Sequence, residues 1–119
     1  DTNLNQEWDL SDVGDWNTFT ENGTGVNRTH GAAHELTAIG ANSLTYDVKG
    51  NLTQDDAGRT YAWDMDNMLS STTESGTTVS YAYDALGRLA SRTAGGSTTV
   101  YVSDGQIVLA EYTSGAAAN

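Results

Sequence analysis

Between Thr77 and Tyr83 the chain alternates: Val79, Tyr81 and Tyr83 fall on one side, Thr78, Ser80 and Ala82 on the other. A period of two marks a half-buried β-strand. No window carries a helical stripe. Similar short runs recur along the sequence, separated by turn chemistry. They predict strands near 16–20, 25–30, 35–39, 43–46, 51–54, 59–63, 68–73, 77–83, 88–93, 98–103 and 106–112. The expected fold class is all-β, an antiparallel β-hairpin array.

The turns are of two kinds, and one repeats as a heptad. Its clearest copies are Tyr83-Asp84-Ala85-Leu86-Gly87-Arg88-Leu89 and Tyr46-Asp47-Val48-Lys49-Gly50-Asn51-Leu52. Trp63-Asp64-Met65-Asp66-Asn67-Met68-Leu69 is a substituted third. Echoes stand at 10–16, 30–36 and 54–60. An aromatic at the first position ends a strand. Asp at the second then accepts the backbone N–H two residues on, and Gly or Asn at the fifth supplies a left-handed conformation. An apolar seventh residue starts the returning strand, so each heptad is the elbow of a hairpin built around a type I turn. The turn residues singled out are Tyr46, Asp47, Gly50, Trp63, Asp64, Asn67, Tyr83, Asp84 and Gly87. Short turns at Asn22-Gly23, Ser75-Gly76 and Gly95-Gly96 divide the intervals between elbows.

Composition narrows the function classes. Only 37% of the 119 residues are hydrophobic, yet six Tyr and three Trp are spread along the chain. Sixteen acidic residues against five cations give a net charge of −11. Without a basic cluster to neutralise phosphates, nucleic-acid binding is not expected. No run is long enough to span a membrane as a helix, and anionic surfaces would repel the chain, so no membrane insertion is expected. There is no Cys for disulfide or thiolate chemistry, and no Pro to interrupt inner strands.

The pattern Tyr-Asp-x-x-Gly-Arg-Leu, with Tyr81 two residues before Tyr83, resembles the YD repeat of Rhs-family proteins, a group that includes toxin-complex C components and teneurins. Residues 43–112 match best, while 1–42 read as degenerate repeats and 113–119 as a linker to a missing downstream region. In the degenerate part Ser11 and Gly31 stand where Asp is expected, and His34 replaces Gly. The pattern alone does not carry the turn geometry into 10–16 and 30–36. The resemblance implies a structural segment of a β-shell in a secreted or surface bacterial protein, enclosing or presenting a C-terminal toxin effector. The stretch from Tyr101 to Tyr112 looks like the last repeat before the Rhs-associated core. No Gly-x-Ser-x-Gly elbow occurs and neither His has a persuasive partner, so no catalysis and no cofactor are expected.

His30, His34 and Glu35 could approach a metal only if helical, and Gly31 places them at a turn instead. Asp55-Asp56 and Asp64 with Asp66 offer oxygen ligands but lack the spacing and distal Glu of a calcium loop. Trp8, Trp16, Trp63 and the tyrosines could hold sugar rings, making a carbohydrate- or partner-binding adhesion module the alternative function; exposed coplanar rings over a groove would favour it. The last strand, with Ile107-Val108-Leu109-Ala110, is apolar and uncharged. Its edge is expected to pair with a second copy or with the rest of the parent chain.

Overall fold

The computed structural model describes residues 5–114. They form thirteen strands and no helix. Two compact units divide the chain between Gly58 and Arg59. In the first, β1 (Gln6–Leu10), β2 (Trp16–Glu21), β3 (Thr24–His30), β4 (Leu36–Ile39) and β5 (Asn42–Ser43) are neighbours in chain order, followed by a hairpin of β6 (Thr45–Tyr46) and β7 (Leu52–Gln54). The second is a six-strand meander: β8 (Thr60–Trp63), β9 (Leu69–Glu74), β10 (Thr77–Tyr83), β11 (Leu89–Ala94), β12 (Ser97–Asp104) and β13 (Ile107–Ser114). Every recorded ladder is antiparallel.

Two strand expectations need correction. The sequence pattern gave no strand before residue 16, but Gln6–Leu10 pairs with β2, Trp8 lying opposite Phe19. That run carries Glu7 and Asp9 among its five residues and no short-turn signal announces it. The expected strand 43–46 is broken at Leu44, whose N–H donates to Thr37 O at 2.8 Å. Asn42 and Ser43 pair with β4, whereas Thr45 and Tyr46 pair with β7. At the other end β13 continues to Ser114; the rest of the expected linker, 115–119, lies outside the described residues.

No hydrophobic side chain is buried among the described residues, and Asp55 is the one buried polar residue there. Along β10 the odd positions Val79, Tyr81 and Tyr83 are half-buried while Thr78, Ser80 and Ala82 are exposed. The alternation is that of a sheet with one partly covered face. Much of its side-chain pairing is therefore polar. Thr73 meets Thr78 and Thr93 meets Thr98 through their hydroxyls at 2.9 Å, each pair directly opposed across a ladder.

The short turns explain the tight reversals. At Ser75-Gly76 both central residues have positive φ, 49° and 79°, as they do at Asn22-Gly23 and Gly95-Gly96. Such type I′ turns match the right-handed twist of the flanking strands. At the elbows only the fifth residue is left-handed, with φ of 88° at Gly50, 60° at Asn67 and 77° at Gly87.

A Cβ at Gly87 would meet Met68 Sδ at an ordinary 3.7 Å, so space is no obstacle there and conformation is. Gly87→Ala should lower stability by about 1–2 kcal/mol in chemical denaturation. Leu86→Ala, at a site 77% exposed, should change it little.

Candidate functional site

The elbows hold the distinctive chemistry. In 83–89, Asp84 Oδ1 accepts the N–H of Leu86 at 2.9 Å and of Arg88 at 3.0 Å. Two backbone bonds close the loop, Asp84 N–H to Arg88 O and Gly87 N–H to Asp84 O. Asp64 binds the N–H groups of Asp66 and Met68, and Asp47 those of Lys49 and Asn51, in the same way. One carboxylate oxygen thus satisfies two loop amides that no strand can reach. The bonding holds Asp84 below the usual carboxylate range, chiefly through the Arg88 N–H and side chain. Asp47 is lowered too, first by the Asn51 side chain and then by its N–H.

The degenerate elbows keep this geometry with other atoms. Ser11 Oγ accepts Asp15 N–H at 3.0 Å and lies 3.4 Å from Val13 N. Gly31 has no side chain to offer, and Glu35 supplies the missing carboxylate from the sixth position, accepting Ala33 N–H at 3.0 Å. A Cβ at Gly31 would overlap that carboxylate. Gly and Glu are exchanged parts of one solution, a signal the sequence carried but only the turn makes readable. His34 takes the left-handed place with φ of 64°. The echo at 54–60 is also a turn, Asp55 accepting Ala57 N–H at 3.1 Å.

First-position rings clamp one elbow to the one before it. Tyr83 Oη donates to Leu69 O at 2.9 Å, and Tyr46 Oη donates to Leu36 O at 2.7 Å. Leu69 and Leu36 are the seventh residues of the preceding heptads. Burial raises the Tyr83 phenol, and the Asp64 charge adds to the shift. Trp63 occupies the corresponding first position of its own elbow, paired with Leu69 across a bulge as Tyr83 is with Leu89.

Three sixth-position side chains reach forward instead. Arg88 binds Asp84 Oδ2 through Nε at 2.7 Å and Gly105 O through Nη1 at 2.6 Å. Met68 lies against Gly87, and Asp15 Oδ2 meets His34 Nδ1 at 2.8 Å. In all three the partner is the left-handed residue of the next turn. Sequence spacing did not reveal these struts, because they depend on hairpins standing side by side.

On β1–β3, Trp8, Trp16 and Phe19 pack together, with Trp8 and Phe19 centroids 5.7 Å apart. Arg28 lies over Trp16 and Phe19 at 5.4 and 5.7 Å. Trp8 and Trp16 are nearly half exposed and meet edge to face at 62°, while Trp16 stacks on the half-buried Phe19 at 26°. Among the described residues no group of three or more His, Cys, Asp or Glu is placed to hold a metal ion. His30 and His34 stand at the first and fifth positions of an elbow.

Fold and elbows together define an antiparallel β-hairpin repeat protein whose turns are fixed by side-chain oxygens. Residues 55–99 match the family described as RHS Repeat, and that match supports reading the chain as a YD-repeat, Rhs-family protein. No curated protein matches it.

The elbow charges predict a pH dependence of both signs. Asp15 raises the His34 pKa through its hydrogen bond and its charge, with a smaller contribution from Glu35. Stabilisation from this pair is full below the ordinary value of 6.5 and is lost as pH rises through the raised value. Asp47 and Asp84 act oppositely: their contribution is present above 3.8 and is lost as pH falls through their lowered values. Thermal midpoints should therefore fall as pH rises above 6.5 in the wild type and less so in His34→Gln. Below about pH 4, Asp84→Asn should lose less than the wild type on further acidification.

Proposed function

We propose that this chain is a stretch of wall in a secreted or surface-displayed bacterial Rhs protein, and that in the parent protein the wall encloses or presents a C-terminal effector. The observation that carries this reading is the self-supporting elbow. The elbows satisfy their own loop amides and Tyr46 and Tyr83 clamp the elbow before theirs, while no hydrophobic side chain is buried among the described residues. A repeat of this kind extends a surface by adding hairpins without needing a deep core. The RHS repeat is a structural repeat, which supports a structural role for this chain. Proteins with this repeat are in general secreted or surface-associated.

The wall continues by strand pairing. β13 pairs with β12, and Ile107, Val108 and Leu109 are 68%, 51% and 65% exposed. The edge suits the rest of the parent chain or a second copy. In an adhesion surface for glycans, the exposed Trp8 and Trp16 meet edge to face, which serves ring contact better than sugar stacking.

The test is limited proteolysis of the full-length parent protein. The region downstream of the repeats should resist cleavage in the wild type and become sensitive in the Asp64→Ala, Asp84→Ala double variant, which loses two elbow caps. Equal sensitivity of that region in both proteins would contradict enclosure.

A further inference from the structure

Ser103 holds the place of a first-position ring but carries none. Ser103 pairs with Val108 just after a register shift, the mark that also accompanies Tyr83 opposite Leu89 and Trp63 opposite Leu69. Ser103 follows Leu89 by the same 14 residues that separate Tyr83 from Leu69. The ladders agree. β9 and β10 stop pairing at Ser71–Ser80, leaving Leu69 beyond the last rung, and β11 and β12 stop at Ser91–Val100, leaving Leu89 beyond it. In the earlier repeat Tyr83 fills the opening and donates to Leu69 O. In the later one a serine cannot span the distance, and among the described residues no side chain donates to Leu89 O.

A groove of about 370 Å³ lies at that place. Leu89, Tyr101 and Val108 give it apolar walls, and Ser103, Arg88 and Glu111 also line it. The volume is at the small end of ligand sites, enough for a single ring. Its walls suit an aromatic face, and the Leu89 carbonyl suits one hydroxyl donor.

We propose that this groove is a binding site for a phenolic ring, the side chain of a tyrosine carried by a partner polypeptide. The molecule itself shows what fills such a slot, since Tyr83 does so one repeat earlier. A polypeptide is the source because the slot borders β13, which has β12 as its recorded strand partner and can offer main-chain groups to an extended segment. The site does not rest on the scaffold reading and stands or falls separately from it.

The experiment is an NMR titration of the 119-residue chain with N-acetyltyrosinamide, followed at backbone amides. Shifts should centre on Leu89, Tyr101, Ser103 and Val108, with a dissociation constant in the millimolar range expected of one small ring. N-acetylphenylalaninamide, lacking the hydroxyl, should bind roughly fivefold more weakly. The peptide acetyl-Thr-Val-Tyr-Val-Thr-amide should bind severalfold more tightly than N-acetyltyrosinamide. Ser103→Tyr should abolish the response and raise the thermal midpoint, because the chain then supplies its own ring. Absence of shifts at these amides, equal binding of the phenylalanine amide, or an undiminished response in Ser103→Tyr would overturn the phenolic site. A peptide no tighter than the amide would overturn the polypeptide source. Shifts at the same amides with cellobiose but not with the tyrosine amide would overturn both in favour of a sugar.

Discussion

Reversing a strand through a long loop leaves amides that no neighbouring strand can accept, and a buried or half-buried amide without a partner costs more than a typical hydrogen bond contributes. Large domains cover such loops with a second layer. Here, where no hydrophobic side chain is buried among the described residues, the acceptor must come from the loop itself. One oxygen, placed to take the second and fourth amides after it, meets that demand at Asp47, Asp64 and Asp84. The degenerate elbows show that the requirement is for the oxygen and not for aspartate. Ser11 provides it from the same position, and Glu35 provides it from four residues further on.

Once the elbows are fixed, two further contacts order them relative to one another within a unit. First-position phenols close backward on the carbonyl of the preceding elbow, while the sixth-position Asp15, Met68 and Arg88 reach forward to the left-handed residue of the next. The forward strut tolerates a guanidinium, a thioether and a carboxylate, so its chemistry varies while its placement does not. Half-buried rings and paired threonines supply the rest. The groove beside Ser103 follows from the same rule, as the place where the backward clamp has lost its ring.

Much of this was legible in the sequence. Alternation over 77–83 and the Asp-x-x-Gly spacing placed β10 and the elbow after it, because period two and left-handed glycine are local properties. β1 was missed since charges interrupt its pattern and its partner lies across the turn in β2. The strand expected at 43–46 hid a change of partner at Leu44, which no propensity encodes. At 30–36 the exchange of Gly31 and Glu35 concealed a normal elbow. The phenol clamps and the sixth-position struts were invisible for a shared reason: they join residues whose proximity exists only after the hairpins stack.

Native-state hydrogen exchange tests most directly whether the elbow caps hold the sheet. If they do, the amides of Asp66, Met68, Leu86 and Arg88 should exchange together with the β8–β9 and β10–β11 ladders they join, at the same free energy of opening. Elbow amides that exchange freely while those ladders stay protected would contradict the account.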